Sequence, residues 1–370
     1  MAKAKQKKSN SLYTPPSKFI FPAISAILPM YNVGKYIGEC LDSILAQTFQ
    51  NFEVIIVDDC STDNSAAVVE SYIDKFDGRL RLERTLKNSG NAALPRNKGL
   101  SLSRGEYVIF IDPDDTITPT AFEELYSVAK DFNADVVACE RYYNIPEKFW
   151  HDEEFRKQLQ PFTYRSGEFV DKPTFITNNI LERLELCNQR KFLWNVWSKL
   201  VRRDLILKNE FYFSNTVVDD LVFTICLLCT AEKYVLVPSV INYYRVLESS
   251  LSNNKERDEK FFRKYVKVFA AAFRYLDKFL NEREPFRDNS YIKYIIFEIC
   301  WSDLLMGYFF SMYDKIAPHN FDKILMEELS VDDNLALSAF TFNMGAFYSL
   351  KLIKLQQYIA KLENELQQRR

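Results

Sequence analysis

The stretch Tyr107-Val-Ile-Phe-Ile-Asp-Pro-Asp-Asp-Thr116 decides the fold. Its first half is short, apolar and rich in aromatic and β-branched residues, the composition of a buried strand. Its second half sets three carboxylates, Asp112, Asp114 and Asp115, around a proline that stops the ladder. Carboxylates crowded at the exposed end of a buried strand repel one another, and a hard divalent cation shared with a phosphate-bearing ligand relieves that repulsion. A polar turn that caps the next helix would use the same residue types. The rest of the chain has to separate the two.

Outward from this stretch, strands and helices alternate. Residues 24–28 read as a strand closed by Pro29, followed by a helix over about 35–47 in which Ile37, Leu41, Ile44 and Leu45 fall at helical spacing. Residues 54–57 form a second strand ending in Asp58-Asp59, and Ser61-Thr62-Asp63-Asn64 supplies turn and cap chemistry for a helix over 65–76. A weaker strand (80–85), a polar loop containing Gly90 and a helix over 93–103 with Pro95 in its first turn precede the opening strand; a helix (120–132) and a strand (135–139) follow it. Alternating units with short connections predict a mostly parallel sheet covered on both faces, its ligand crevice at the carboxyl ends of the strands. Both acidic clusters lie at such ends.

Composition narrows the partners. A chain of 370 residues with a formal net charge of −2 has no basic excess of the kind nucleic-acid binding requires, so no nucleic-acid partner is expected. The seven cysteines are scattered through apolar segments, and Cys226-Leu-Leu-Cys229 lacks a second pair or histidines for a zinc site; they read as reduced thiols of a cytoplasmic protein. Residues 1–18, rich in lysine, serine and proline, read as a flexible arm without a signal-peptide core; it offers a peripheral contact to anionic lipid, with a solvated tail as the plainer reading. No apolar run reaches the roughly 18 residues needed to span a bilayer.

Between residues 142 and 177 the alternation dissolves into aromatic and charged residues, which predicts an excursion over the crevice. Trp194 and Trp197, a helix after Arg203, Asp219-Asp220 ahead of an apolar helix, and a strand over 234–245 follow. Beyond residue 254 the pattern is helical. In the last segment Tyr348, Leu352, Leu355, Ile359, Leu362 and Leu366 form a heptad seam, which fits a homo-oligomer or a helix packed on its own protein.

No Gly-x-Gly-x-x-Gly follows the first strand and no P-loop occurs, so phosphates here would be neutralised by metal. The ordered series Ser25-Ala-Ile-Leu-Pro-Met-Tyr-Asn32, Phe52-Glu-Val-Ile-Ile-Val-Asp-Asp59, Asn88-Ser-Gly90 with Arg96-Asn-x-Gly99, and Gly105-Glu-Tyr-Val-x-Phe-x-Asp-Pro-Asp-Asp115 resembles the nucleotide-sugar-binding half of family 2 glycosyltransferases with the GT-A fold. Weaker marks run through Trp197-Ser-Lys-Leu200, Asp219-Asp220 and Tyr243-Tyr-Arg245. The resemblance implies a GT-A (Rossmann-like) α/β fold, its mostly parallel sheet flanked by helices, with a helical C-terminal extension. It marks out a GT-A domain (22–252) with a nucleotide-sugar half (22–140) and an acceptor and catalytic-base half (141–252), while composition and periodicity add a flexible basic arm (1–21), a helical region (253–340) and the heptad-bearing helix (341–370).

It also implies roles. Pro29 and Tyr31 would line the base pocket, Asp59 would bind the base, Arg96 would lie near the nucleotide or its phosphates, and Asp112 would contact ribose or metal. Asp114 would be the chief ligand of Mn²⁺ or Mg²⁺ on the diphosphate, with Asp115 orienting the turn. The family's Glu-Asp pair is matched by Asp219-Asp220, which points to Asp220 as the general base and leaves open which of the two faces the acceptor. Trp194, Trp197 and Arg245 are candidates for acceptor or phosphate contact, the tryptophans being equally suited to the core. The implied activity is an inverting transfer from a nucleoside-diphosphate sugar, expected to be a UDP-sugar, to a glycan or lipid-linked acceptor, in bacterial surface polysaccharide synthesis. The alternatives are a sugar nucleotidyltransferase, which lacks its glycine-rich triphosphate loop here, and a non-catalytic nucleotide-binding scaffold recruited through the C-terminal helix.

Overall fold

The computed structural model describes residues 21–163, 169–188, 193–214, 219–247 and 258–304. The basic arm, save Phe21, and the heptad helix lie outside them. The chain divides into two compact units, Met1–Asn254 and Lys255–Arg370.

The first unit starts with β1 (Ile24–Met30), α1 (Ile37–Leu45), β2 (Phe52–Asp58), α2 (Ser65–Glu70), β3 (Leu80–Arg84), α3 (Ala93–Leu102) and β4 (Tyr107–Phe110). Strands β3, β2, β1 and β4 lie side by side and parallel, in that order. Every residue of β1, β2 and β4 is buried, as expected of a parallel sheet covered on both faces. The chain continues through β5 (Thr116–Ile117), α4 (Ala121–Asp131), β6 (Val136–Pro146), α5 (Glu153–Lys157), β7 (Thr174–Phe175), α6 (Ile180–Asn188), β8 (Lys199–Arg202), α7 (Arg203–Lys208), α8 (Asp219–Thr230) and β9 (Tyr234–Val246). These strands extend the sheet in the order β4-β8-β6-β9-β5, with β7 also on β9. The added half is mixed: β8 is antiparallel to β4 and β6, β9 is parallel to β6, and β5 and β7 are antiparallel to β9. The second unit shows α9 (Glu259–Asn281) and α10 (Ser290–Leu304).

Two sequence expectations need correcting. Pro29 does not close its strand: β1 runs through it to Met30, pairing with β2 along its whole length. The register of β1 on β4 ends at Ile27 and Phe110, so the missing Pro29 N–H faces a position where β4 has already stopped, and no ladder bond is lost. Nor does the alternation dissolve at residue 142. Strand β6 continues on β9 to Pro146 through two register shifts, with Tyr143 stacked on Tyr243 at 5.0 Å.

Close backbone packing fixes the crevice. A Cβ at Gly34 would sit 2.1 Å from Asn64 Oδ1, and one at Gly99 only 2.4 Å from Ile27 Cγ2, so α3 lies directly against β1. At the opposite, amino ends of the strands, buried Glu53 accepts from Ser25 Oγ at 2.6 Å and from Arg104 Nη2 at 2.7 Å, tying the entry to β4 onto β1 and β2. Among the described residues no helix is long and apolar enough to cross a membrane, and no disulfide joins any of the seven cysteines.

Candidate functional site

The loops following β1, β2, β3 and β4 meet at the carboxyl edge of the parallel half. Asn32, in the left-handed region at φ 51°, accepts from Thr62 N at 2.8 Å and donates its own N–H to Ser61 Oγ at 3.0 Å. Asp59 N donates to Met30 O at 2.7 Å. These bonds hold Tyr31, which is exposed, beside Asp59, which is buried. The Asp59 carboxylate accepts from Thr85 Oγ1 and from both Ser89 N and Ser89 Oγ, each at 2.8 Å. A carboxylate has about four acceptor positions, so one is left for a ligand donor.

Beyond β4 the turn Asp112–Asp115 presents its three carboxylates differently. Asp115 is buried and accepts from Asn242 Nδ2 at 3.0 Å and Arg245 N at 2.8 Å, which pins the turn to β9. Asp112 and Asp114 are only partly buried. Burial and the neighbouring Asp112 push the Asp114 carboxyl up to about 6, and no ion pair reaches it among the described residues. Burial raises Asp112 too, with Asp220 adding to the push and Arg96 opposing it.

Arg96, carried on α3, joins this turn to α8. Its Nη2 lies 3.2 Å from Asp112 Oδ1, and its Nη1 lies 2.7 Å from Asp220 Oδ1 and 3.2 Å from Asp219 Oδ2. The guanidinium is buried, 5.3 Å from the Phe213 ring centre. Burial alone would favour its neutral form, but the three carboxylates outweigh that and hold it charged. Burial pushes the Asp219 carboxyl up to about 7; Arg96 opposes the shift and Asp220 adds to it. One cation thus serves a surplus of carboxylates, the charge pattern of a site completed by a positively charged ligand.

The other sequence candidates fall elsewhere. Trp197 is buried, against Tyr142 at 5.1 Å and Tyr244 at 6.1 Å, because residues 196–198 form a 3-10 turn whose side chain enters a small aromatic core. It is not placed for an acceptor. Trp194 is half-buried, and its carbonyl accepts from Thr224 Oγ1 at 2.8 Å. Arg245 is not free for a phosphate. Its Nε donates to Asp114 O at 2.9 Å, its Nη2 to Glu39 Oε2 at 3.0 Å, and its guanidinium stacks 3.7 Å from Trp150 and 4.8 Å from Tyr36. It braces the acidic turn from behind.

Residues that sequence reasoning gave no role complete the frame. Lys199 is buried with its Nζ donating to the carbonyls of Leu193 and Asn195, both at 2.6 Å, and so anchors the segment whose Val196 N–H lies 3.4 Å from Asp220 Oδ2. A lysine inside an otherwise buried strand was the available signal. Glu39 and Trp150, joined by a 2.6 Å bond, carried none, because they meet only in three dimensions.

Residues 25–184 match the model described as glycosyl transferase family 2. The chain is 33% identical over 251 residues to glycosyltransferase GlyG of Streptococcus pneumoniae, covering 67% of this chain and 78% of that protein. The chain belongs to glycosyltransferase family 2. It is also 30% identical over 260 residues to the poly(ribitol-phosphate) β-N-acetylglucosaminyltransferase TarP of Staphylococcus aureus, covering 68% of this chain and 72% of the relative. Among solved structures it resembles S. aureus TarS 1–349 in complex with UDP-GlcNAc, with a TM-score of 0.62 and 21% identity over 83% of this chain and 79% of that one, a likeness of fold. The fold is thus GT-A, with the family's parallel half carried by β1 to β4.

Proposed function

We propose that the protein is a metal-dependent, inverting glycosyltransferase that moves a sugar from a UDP-sugar to a hydroxyl of a glycan or lipid-linked acceptor, on the cytoplasmic side of bacterial surface polysaccharide synthesis. The observation that carries this reading is the Arg96 bridge, which sets the donor-side Asp112 and the acceptor-side Asp219 and Asp220 around one guanidinium. The UDP assignment draws on the family's relatives, TarS having been crystallised with UDP-GlcNAc.

The base is recognised beside Pro29 and Tyr31, with the remaining acceptor position of Asp59 meeting a ring N–H. The diphosphate lies toward Asp112 and Asp114. Among the described residues no three His, Cys, Asp or Glu side chains form a group able to hold an ion alone. Two carboxylates with little protein charge to balance them fit Mg²⁺ or Mn²⁺, which Asp112 and Asp114 would hold together with a phosphate-bearing ligand. Such an ion supplies Lewis-acid stabilisation of the departing diphosphate.

Asp220 is the base. Its side chain is 30% exposed against 11% for Asp219, so it is the one an acceptor can reach. Its Oδ1 is held by Arg96 at 2.7 Å, leaving Oδ2, with only a long 3.4 Å contact from Val196 N, to take the proton. As the acceptor oxygen gives up that proton it bonds to the anomeric carbon from the face opposite the nucleotide. The bond to the diphosphate breaks, the nucleoside diphosphate leaves with the electron pair, and the configuration inverts. Asp219 is kept for the charge balance of Arg96.

A panel of nucleotide sugars, each with Mn²⁺, Mg²⁺ or chelator, tests the reading by thermal shift and by donor hydrolysis. A metal-dependent rise in Tm with UDP-sugars and their slow hydrolysis are expected. Full stabilisation in the presence of chelator would remove the metal from the mechanism.

A further inference from the structure

The exposed face of α9 holds none of the candidate site residues. Along this helix Phe262, Val266, Phe269, Phe273, Leu276 and Leu280 are buried at helical spacing. On the other side the exposed positions 260, 264, 267, 271, 274 and 278 succeed one another by fours and threes and hold Lys260, Lys264, Lys267, Ala271, Arg274 and Lys278. At 1.5 Å per residue this is a straight row of cations about 27 Å long. The helix carries two carboxylates. Glu259 is engaged by Arg263 at 3.0 Å, and Asp277 accepts from Asn281 Nδ2 at 2.8 Å. Just past the helix, Glu282 stands 3.9 Å from Lys278 Nζ. In a chain whose formal net charge is −2, positive charge is concentrated here.

We propose that this row docks the protein on an anionic lipid bilayer. A straight row on one helix face sets Lys260, Lys264, Arg274 and Lys278 toward one plane, while Lys267 has a further partner of its own. Four of the five are lysines, hydrated point charges suited to diffuse attraction by headgroups, whereas binding to a phosphate-bearing polymer favours arginine forks and aromatic stacking. Among the described side chains of the helix no aromatic ring is fully exposed: Phe262, Phe269, Phe273 and Phe279 are buried, and Phe261 and Tyr275 are half-buried. The attachment is electrostatic, reversible and sensitive to salt. It goes beyond the transfer reading and does not depend on it.

The test is co-sedimentation of the full chain with vesicles of phosphatidylcholine alone or mixed with phosphatidylglycerol. Binding is expected only to the mixed vesicles, falling as salt rises. Each cation near such a surface is worth about a factor of five in affinity. The variant K260Q/K264Q/R274Q, in which glutamine keeps helix propensity, should therefore bind the mixed vesicles on the order of a hundredfold more weakly, with unchanged far-UV circular dichroism and donor hydrolysis. Any of these results would overturn the proposal: equal binding to neutral vesicles, undiminished binding by this variant, or loss of binding only when Lys3, Lys5, Lys7 and Lys8 of the arm are replaced. Tight binding to dextran sulfate with none to vesicles would reassign the row to a soluble polyanion and overturn the lipid.

Discussion

On either side of β1 an acidic cluster ends a parallel strand, Asp58 and Asp59 after β2 and Asp112, Asp114 and Asp115 after β4, and the two are treated differently. After β2, Asp58 takes the Ser61 N–H at 2.8 Å and lies 3.2 Å from Arg84 Nε, while Asp59 has three donors from Thr85 and Ser89. After β4 only Asp115 is so provided; Asp112 shares Arg96 with two other carboxylates, and Asp114 has no ion pair among the described residues. The same residue type in the same topological place is fully held at Asp58 and Asp115, keeps one acceptor position open at Asp59, and is left short of donors at Asp112 and Asp114. Unmet charge is costly to a folded chain, and it persists where a ligand supplies the balance.

Several substitutions can break or sharpen this contrast. Asp220→Asn keeps the shape of the under-served group but removes the base, so turnover should fall by about 10² to 10⁴ while the donor-induced rise in Tm remains. Undiminished turnover would end the assignment. Arg96→Met strands three partly or fully buried carboxylates at once and should lower stability by about 3–5 kcal/mol, read from urea midpoints. Asp115→Ala leaves the Arg245 N–H and Asn242 amide without their acceptor and should cost about 2 kcal/mol. Asp114→Asn should leave stability level or higher, yet abolish metal-dependent donor binding. If these two variants lose stability equally, framework and site are not distinct.

The pH dependence follows from Asp219. Its native pKa, about 7, lies above the ordinary 3.8, so between these values the folded state binds more protons than the unfolded one. Its contribution therefore makes stability fall as pH rises through that window. Asp219→Asn should flatten the slope of urea midpoint against pH, and an unchanged slope would mean that Asp219 ionises without cost. The smallest effect is expected for Ser89→Ala, which takes a single hydroxyl from Asp59 and should cost about 1 kcal/mol.

The parallel half was legible because its signals are local. Continuous apolar runs mark strands buried on both faces, and Pro95, Gly99 and the turn residues 61–64 punctuate the helices between them. The mixed half was less so. The pairing of β5 with β9 joins Thr116 to Tyr243 across more than a hundred residues, and two shifts of register hide the alternation along β6. The site shows the same division. The acidic clusters announce themselves as residue types at strand ends, whereas the donors that distinguish Asp115 from Asp114 come from Asn242 and Arg245, distant in the chain. Arg245 was noticed, but its stacking on Trp150 and its bond to Glu39 join residues distant in the chain, which sequence alone does not bring together.

The contact of Gly99 with Ile27 makes α3 a lever whose fulcrum is a missing methyl group. Arg96 rides on the same helix nearly one turn earlier, and its three ion contacts span 2.7–3.2 Å. An alanine at the fulcrum would lift the helix from the sheet and lengthen all three together, with no charge altered. The reach of the guanidinium is thus set by a residue that touches no carboxylate, and the charge balance of the cluster can be detuned from the scaffold side.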